Sequence, residues 1–316
     1  MGNNQPRVSI GLPVFNGDTY LKDALDSILA QTFADFEVVI SDNASTDNTS
    51  EICQAYARKD NRIRYFNNKK NLGAAKNYNN VFRLSSGEYF KWMAHDDVIE
   101  PEFLEKCVHV LDRDPSIVLC SSRVKIINES GKVLGNFDIS LNRVSSEKPQ
   151  DRFKDLILND VWCMEVFGLI RSSVLKKTRL IDKYIASDRI LRAELGLLGR
   201  FHEIPEYLSL SRDHPERSVR KMPAHHLRAG WFDPAREGMR VFPLWRVFFE
   251  YYRCVWRIPL NAKLRAACLM YLMRWLTVNM NWARMAADII IAFKPDVWKS
   301  FFKIKGGEYW LKVKKE

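Results

Sequence analysis

The chain has 316 residues, of which 47% are hydrophobic and 28% are charged, and its formal net charge is +11. This composition excludes a disordered or low-complexity chain. The six cysteines are scattered without a C-x-x-C pair, which excludes a zinc ribbon and indicates reduced thiols in a cytoplasmic protein. The amino-terminal residues MGNNQPRVSI lack the charged-then-apolar pattern of a signal peptide, in agreement with that location.

Residues 7–114 alternate four times between an apolar strand pattern and a helical pattern. The predicted strands are RVSIGLPVFN (7–16), FEVVISD (36–42), RIRYFNN (62–68) and GEYFKWMAHDD (87–97). The predicted helices are DTYLKDALDSILAQ (18–31), ASTDNTSEICQAYARK (44–59), GAAKNYNNVFRLS (73–85) and PEFLEKCVHVLDRD (101–114). The strands are apolar on both faces and their connections are short, so we expect a parallel sheet with helices on each side.

The pattern changes after residue 115. Two strands joined by a turn at Gly131 are predicted, SIVLCSSRVKIIN (116–128) and KVLGNFDI (132–139). A mostly helical region follows at 151–200, and then two short strands, FHEIP (201–205) and EYLSLSRDH (206–214). From residue 225 onward the chain has seventeen Lys and Arg against seven Asp and Glu, and seven of its nine tryptophans. We therefore predict a domain at 1–222, with halves 1–115 and 116–222, and a basic tail at 223–316.

Two adjacent acids, Asp96 and Asp97, follow the fourth predicted strand. In sheets of this kind ligands bind beyond the carboxyl ends of the strands, where these acids are expected. The chain has no glycine-rich phosphate loop of the dinucleotide or P-loop type, so a bound diphosphate needs another positive partner. A Mg²⁺ or Mn²⁺ ion held by carboxylates supplies it. The alternative is structural: one aspartate caps the following helix and the other is solvated.

Four segments in this order and spacing, VSIGLPVFNG, VVISDNASTDNT, NLGAAKN and SGEYFKWMAHDD, resemble the family 2 glycosyltransferases, and the resemblance covers residues 6–220. It implies the GT-A fold, an α/β, Rossmann-like mixed sheet flanked by helices, here with a C-terminal helical extension. It also implies a nucleotide-diphosphate sugar as donor and Mg²⁺ or Mn²⁺ as cofactor. The implied nucleotide-binding residues are Pro13, Phe15, Asn16, Asp42, Lys76 and Asp96, with Asp96 facing the ribose or sugar. By the same match Asp97 ligates the metal.

The resemblance assigns the remaining roles to the second half. YIASDRILRAELGLLGRF (184–201) resembles the family's acidic motif, which makes Asp188 the general base for the acceptor hydroxyl. SLSRDHPERS (209–218) resembles its R-x-H segment, so that Arg212 would pair with phosphate and His214 would ligate the metal. Glu165 and His95 are assigned to the acceptor side. One base without a second well-placed carboxylate implies a single displacement that inverts the anomeric centre.

The tail has a predicted amphipathic helix at residues 275–293, with Trp275, Trp282, Met285 and Phe293 on its apolar side. Basic, tryptophan-rich helices of this kind lie flat on anionic membranes. No stretch of about 18 residues is free of charge, so we expect peripheral binding at the inner face of a membrane rather than a spanning helix. The alternative is a helical bundle packed on the catalytic domain. No nucleic-acid-binding motif is present, and we expect no nucleic acid partner.

Together these patterns predict a metal-dependent, inverting glycosyltransferase. It would transfer a sugar to a hydroxyl of a glycan or lipid-linked glycan, in the synthesis of a cell-surface polysaccharide or glycolipid. A sugar-phosphate nucleotidyltransferase is one alternative, although it would be expected to carry a glycine-rich, basic loop where this chain has LPVFNG. A non-catalytic carbohydrate-binding relative is another, although the presence of Asp96, Asp97 and Asp188 argues against it.

Overall fold

A computed structural model of the chain describes residues 5–137, 144–159, 163–222 and 225–294. Its strands are β1 (Val8–Val14), β2 (Phe36–Asp42), β3 (Ile63–Asn67), β4 (Tyr89–Trp92), β5 (Val98–Ile99), β6 (Ile117–Ile127), β7 (Val133–Phe137), β8 (Leu169–Arg171) and β9 (Arg200–Arg212). They form one mixed sheet in the order β3-β2-β1-β4-β8-β6-β9-β5, and β7 pairs with β6.

Helices cover the sheet and continue beyond it along the chain. They are α1 (Leu21–Leu29), α2 (Thr49–Lys59), α3 (Ala74–Arg83), α4 (Phe103–Arg113), α5 (Pro149–Leu158), α6 (Ser172–Leu175), α7 (Ser187–Leu198), α8 (Ser218–Lys221), α9 (His225–Phe232), α10 (Pro243–Arg257), α11 (Ala262–Trp275) and α12 (Asn281–Phe293). A short 3-10 helix, Met164–Phe167, precedes β8.

The first half is the parallel core that the apolar strands predicted. β1 pairs in parallel with β2 on one side and with β4 on the other, and every residue of β1 and β2 is buried. Helix α3 packs directly on β1 because Gly11 has no side chain: a Cβ there would lie 2.6 Å from a methyl group of Val81. The carboxyl ends of β1, β2 and β4 therefore meet at one edge of the sheet.

The acid pair lies in the loop between β4 and β5, not at a helix end. β4 ends at Trp92, four residues before the first acid. Helix α4 begins only at Phe103, and its N-cap residue is Glu102. Neither aspartate caps this helix, so the structural alternative considered for Asp96 and Asp97 does not hold.

Two predictions for the later part of the chain are corrected, and one is confirmed with an addition. The region 151–200 is mostly helical, as predicted, and it also contains the unpredicted strand β8, which joins β4 to β6 in antiparallel pairings. The two short strands predicted at 201–214 are one long strand, β9, parallel to β6. The single helix predicted at 275–293 is broken, because Asn279 and Met280 adopt positive φ angles of 47° and 54° between α11 and α12.

The described tail helices pack on the predicted domain at 1–222. Val247, Tyr251, Cys254 and Leu272 share one buried cluster with Phe153 of α5 and with residues of α7. Helices α5 and α7 themselves approach closely because of Gly196, where a Cβ would lie 2.2 Å from Leu156. In the described ranges, no helix combines the length and apolar character needed to cross a bilayer. The predicted boundary at residue 222 adjoins residues 223 and 224, which lie outside the described residues, and it stays a prediction.

Candidate active site

The loops after β1 and β2 form the first wall of the candidate site. Phe15 is 41% exposed, and the amide oxygen of Asn16 accepts a hydrogen bond from the Thr46 N–H at 2.9 Å. Asp42 is fully buried, and its carboxylate accepts bonds from the Ser45 N–H and the Tyr65 hydroxyl, each at 2.9 Å. These contacts brace the loop. The predicted contact of Asp42 with a nucleotide base stays a prediction.

Two further residues were predicted to bind the nucleotide. Pro13 lies on β1 opposite Ser41 of β2, at the carboxyl edge of the sheet. Lys76 lies exposed in the first turn of α3. Both are on the side of the sheet that the resemblance assigned to the nucleotide, and their ligand contacts stay predictions.

The acid pair is held by the last residue of β9 and by the segment that follows this strand. The Nε2 atom of His214 lies 2.9 Å from Asp96 Oδ2, and both side chains are largely buried, 6% and 15% exposed. Asp97 Oδ1 accepts a bond from the Arg212 N–H at 2.9 Å. The two acids therefore tolerate each other because each has its own polar partners on the same returning segment.

The surroundings of the acid pair shift the pKa values of the two carboxyl groups in opposite directions. Burial raises the pKa of Asp96, but the bond from His214 and the positive charges of His95 and Arg217 outweigh it and hold the pKa at about 2. Burial and the charge of Asp96 raise the pKa of Asp97 to about 6, against the opposing charge of Arg217. Asp96 is thus the fixed anion of the pair, and Asp97 is the group that more readily accepts a proton.

Arg212, predicted to pair with phosphate, is occupied inside the protein. It is 2% exposed, and its guanidinium donates to the backbone oxygens of Asp96 at 3.0 Å and Glu129 at 2.9 Å, and to the Asp23 carboxylate at 2.8 Å. Its Cζ atom also lies 4.7 Å from the ring centroid of Tyr20. The prediction was wrong in this respect: Arg212 fixes the loop that carries the acids and has no exposed face for a ligand.

Asp188 lies in the first turn of α7, as the sequence predicted, and its Oδ1 accepts the Arg189 N–H at 3.0 Å. The N-cap residue of α7, Ala186, has a φ of 65°, a left-handed conformation that is unfavourable for an alanine. Burial raises the pKa of the Tyr78 hydroxyl, and the charges of Asp96, Asp97 and Asp188 raise it further. Tyr78 of α3 therefore lies within electrostatic reach of all three acids.

The two residues assigned to the acceptor side are not arranged for that role. Glu165 is completely buried and forms an ion pair of 2.8 Å with Arg192, which is also buried. It does not reach a surface where an acceptor could bind. His95 packs against Gly17 in the loop after β1, where a Cβ would lie 2.4 Å from the imidazole. This places His95 beside the predicted nucleotide loop, and no contact in the described residues supports its assignment to the acceptor.

Lys91, Tyr78 and Arg217 also lie in this region, and no motif predicted them. Lys91 is 2% exposed, and its ammonium group donates to the Phe167 carbonyl. Burial lowers its pKa to about 8 although the charge of Asp97 opposes this. It lines a cavity of about 30 Å³ behind Asp97, which is large enough for about one water molecule and far too small for a sugar. A lysine inside an otherwise apolar strand was the available signal for this residue.

The donor set suits a divalent cation, but it is not a preformed cage. Carboxylate oxygens and an imidazole nitrogen are ligands that Mn²⁺ accepts. Within the described ranges, no group of three or more His, Cys, Asp or Glu side chains is arranged to hold an ion. A cation that arrives with nucleotide phosphates needs only one or two protein ligands, and Asp97 with His214 can supply these. The residues present therefore fit a metal shared with a ligand.

Comparison with known proteins identifies the family. The sequence model of glycosyl transferase family 2 matches residues 9–178. The chain belongs to this family. An uncharacterized glycosyltransferase of Haemophilus influenzae is 28% identical over 224 residues, 67% of each chain. One from Rickettsia felis is 37% identical over 132 residues, which are 41% of this chain and 21% of the relative. One from Methanocaldococcus jannaschii is 29% identical over 190 residues, 58% of this chain and 62% of the relative.

Two solved structures share the fold. TarS 1–349 of S. aureus in complex with UDP-GlcNAc aligns with a TM-score of 0.59 and 17% identity, over 90% of this chain and 81% of that one. The mannosyltransferase PcManGT from Pyrobaculum calidifontis in complex with GDP-Man and Mn²⁺ aligns with a TM-score of 0.51 and 17% identity, over 93% and 88%. At this identity the likeness shows the fold, and the predicted GT-A architecture is confirmed.

Proposed function

We propose that this protein transfers a sugar, with inversion, from a nucleotide-diphosphate sugar to a hydroxyl of a glycan or lipid-linked glycan. The observation that carries this proposal is the acid pair Asp96 and Asp97 in the loop after β4, where His214 Nε2 lies 2.9 Å from Asp96 Oδ2 and the Arg212 N–H donates to Asp97 at 2.9 Å. Asp188, about ninety residues later in the first turn of α7, is the third acid of the proposed site. Solved relatives with UDP-GlcNAc, or with GDP-Man and Mn²⁺, support a donor of this class.

The donor would lie between the loops after β1 and β2 and the acid pair. Phe15, exposed at the site edge, offers a flat ring for the nucleotide base. Asp96 is the predicted partner of the ribose or sugar hydroxyls, and Asp97 and His214 would hold Mg²⁺ or Mn²⁺. When bound, the ion would neutralise charge that develops on the departing diphosphate.

Asp188 would act as the general base. Its carboxylate takes the proton of the acceptor hydroxyl while the hydroxyl oxygen bonds to the anomeric carbon and the bond to the diphosphate breaks. A positioned base of this kind contributes roughly 10²–10⁴ in rate. Because no second carboxylate is assigned as nucleophile, the reaction is one displacement and the anomeric configuration inverts.

The decisive experiment compares two variants in donor binding and in transfer. A thermal-shift screen of nucleotide sugars with Mn²⁺ first identifies a donor that the wild type binds. Asp97→Ala should then abolish the Mn²⁺-dependent binding of that donor. Asp188→Asn should bind the same donor as the wild type and lose transfer by about 10²-fold or more. Near-native transfer by Asp188→Asn would refute the base assignment. Release of pyrophosphate from a mixture of a nucleoside triphosphate and a sugar 1-phosphate would identify a nucleotidyltransferase, and donor binding without any turnover would identify a binding protein.

The tail supports a location at a membrane surface. Phe249, Tyr252 and Trp256, spaced along one face of α10, are 49%, 45% and 51% exposed. Residues 243–294 carry eight Lys and Arg but only two acids. Glu250 is fully buried in ion pairs, and Asp288 accepts the Leu244 N–H at 2.7 Å. The outer charge of these helices is therefore positive, which suits an anionic phospholipid surface.

We infer that the protein acts peripherally at the inner face of a membrane, on an acceptor of a cell-surface polysaccharide or glycolipid pathway. Co-sedimentation with vesicles tests the location. The protein should bind vesicles that contain phosphatidylglycerol and not pure phosphatidylcholine vesicles, and Tyr252→Ser/Trp256→Ser should reduce the bound fraction several-fold. Leu134→Ser on β7, where the leucine is 42% exposed, is the matched control and should bind as the wild type. Equal binding by both variants would refute the role of α10.

A further inference from the structure

The burial of Arg212 leaves open which cation of the chain meets a diphosphate. A nucleoside diphosphate carries at least two negative charges, and the acids Asp96, Asp97 and Asp188 would repel it. A metal ion offsets part of this repulsion. Sites that bind phosphate commonly add a guanidinium, because its planar fork donates two parallel hydrogen bonds to phosphate oxygens.

Arg217 is placed for this task by the turn after β9. Its N–H donates to the His214 carbonyl at 3.2 Å, so the arginine and the predicted metal ligand share one turn. Its Nη2 atom donates to the Ser211 hydroxyl oxygen at 3.0 Å. That same serine hydroxyl bonds to Asp97. A chain of contacts thus runs from the guanidinium to the acid pair, and the half-buried side chain is already oriented.

The electrostatic reach of Arg217 agrees with this geometry. Its positive charge lowers the pKa of both Asp96 and Asp97, and also that of the Tyr78 hydroxyl. Arg220, three residues later, donates from its Nε atom to the carboxylate of Asp213 at 2.6 Å. It carries the same charge as Arg217 and has a carboxylate of its own as partner, which makes it a suitable control.

We propose that Arg217 binds the diphosphate of the nucleotide donor, while Arg212 is a positioning residue that holds the acid pair. This inference rests on the proposed function, because it requires a nucleoside diphosphate in the site. The guanidinium of Arg217 donates hydrogen bonds to the phosphate oxygens, next to the acid pair. The bond to Ser211 holds the guanidinium in position before the ligand binds.

Titration calorimetry on the full chain with MnCl₂ tests the proposal. UDP, GDP, ADP, CDP and dTDP are first screened on the wild type, and the diphosphate that binds is compared with its own nucleoside. Arg217→Gln should weaken diphosphate binding about 10- to 100-fold and leave nucleoside binding within about twofold. Arg217→Lys should recover part of the loss, because it restores the charge without the fork. Arg220→Gln, the matched control, should bind both ligands as the wild type does.

The outcomes are distinguishable. Arg217→Gln with wild-type diphosphate affinity overturns this inference and leaves the proposed function intact. An equal loss for nucleoside and diphosphate, or an equal loss in Arg220→Gln, also overturns it, because the effect would then come from folding or from overall charge. A wild type that binds none of the five diphosphates refutes the donor site itself, and the inference falls with it.

Discussion

Replacement of Glu165 by glutamine separates a structural role from a role in acceptor binding. Glu165 and Arg192 are 0% and 2% exposed, and their Oε1 and Nη1 atoms are 2.8 Å apart. Arg192 also donates to the Leu156 carbonyl at 2.7 Å, so the pair ties the 3-10 helix before β8 to α7 and α5. Glu165→Gln keeps the shape but leaves the arginine charge buried without a counter-charge. Such a loss costs about 3–5 kcal/mol.

Urea unfolding followed by circular dichroism measures this directly. The expected loss in unfolding free energy corresponds to a fall of roughly 6–12 °C in melting temperature. A companion double variant, Glu165→Met/Arg192→Met, removes both charges and replaces them with apolar side chains of similar length. It should be within about 1–2 kcal/mol of the wild type, because no unpaired charge remains.

The opposite result would restore the acceptor role. If Glu165→Gln unfolds within about 0.5 kcal/mol of the wild type, the pair is not structural. If the same variant then shows slower transfer and a higher KM for the acceptor alone, Glu165 contacts the acceptor in solution. Measurement of the donor KM in the same assay is the control, since a general loss of folded protein would change neither KM.

Three further predictions concern the site and its support. Ala186→Gly should raise unfolding free energy by about 0.5–1 kcal/mol, because glycine adopts the φ of 65° without strain; a lower urea midpoint would contradict this. The pKa of Asp97, raised to about 6, means that Mn²⁺-dependent nucleotide binding should weaken as pH falls below 6, and calorimetry showing a flat profile from pH 5 to 8 would refute it. Arg257→Met removes an ion-pair partner of the fully buried Glu194 and should cost about 2–3 kcal/mol by urea unfolding, whereas an unchanged midpoint would show that the pair is dispensable.

The elements that the sequence predicted correctly are those with a long enough pattern. FEVVISD coincides with β2, Phe36–Asp42, because seven apolar-rich residues between turn signals leave one interpretation. β5 and β8 have two and three residues, and such short segments show no period. The break at Asn279 and Met280 contains neither Gly nor Pro, so the apolar pattern of 275–293 predicted one continuous helix.

The site was predictable to the level of loops and not to the level of side chains. The acids Asp96, Asp97 and Asp188 were found because their motifs lie at strand and helix ends. The roles of Arg212 and Arg217 could not be told apart from sequence motifs, because a motif does not show which of two guanidinium groups is buried. Arg212 is 2% exposed because its hydrogen-bond acceptors, three in loops and one in α1, are distant in the sequence, and only the folded chain brings these together.

The smallest strand of the sheet explains how the adjacent acids are aligned with their partners. β5 pairs with β9 in antiparallel register, Val98 opposite Leu210 and Ile99 opposite Ser209. Continued by one residue toward the site, this register sets Asp97 opposite Ser211, the hydroxyl that bonds it. A slip of one residue would turn the carboxylate to the other face of the pairing. The pairing of these two strand residues therefore determines which acid contacts Ser211 of β9 and, through it, Arg217 of the following turn. The arrangement of charges at the site depends on backbone pairing as much as on the acids themselves.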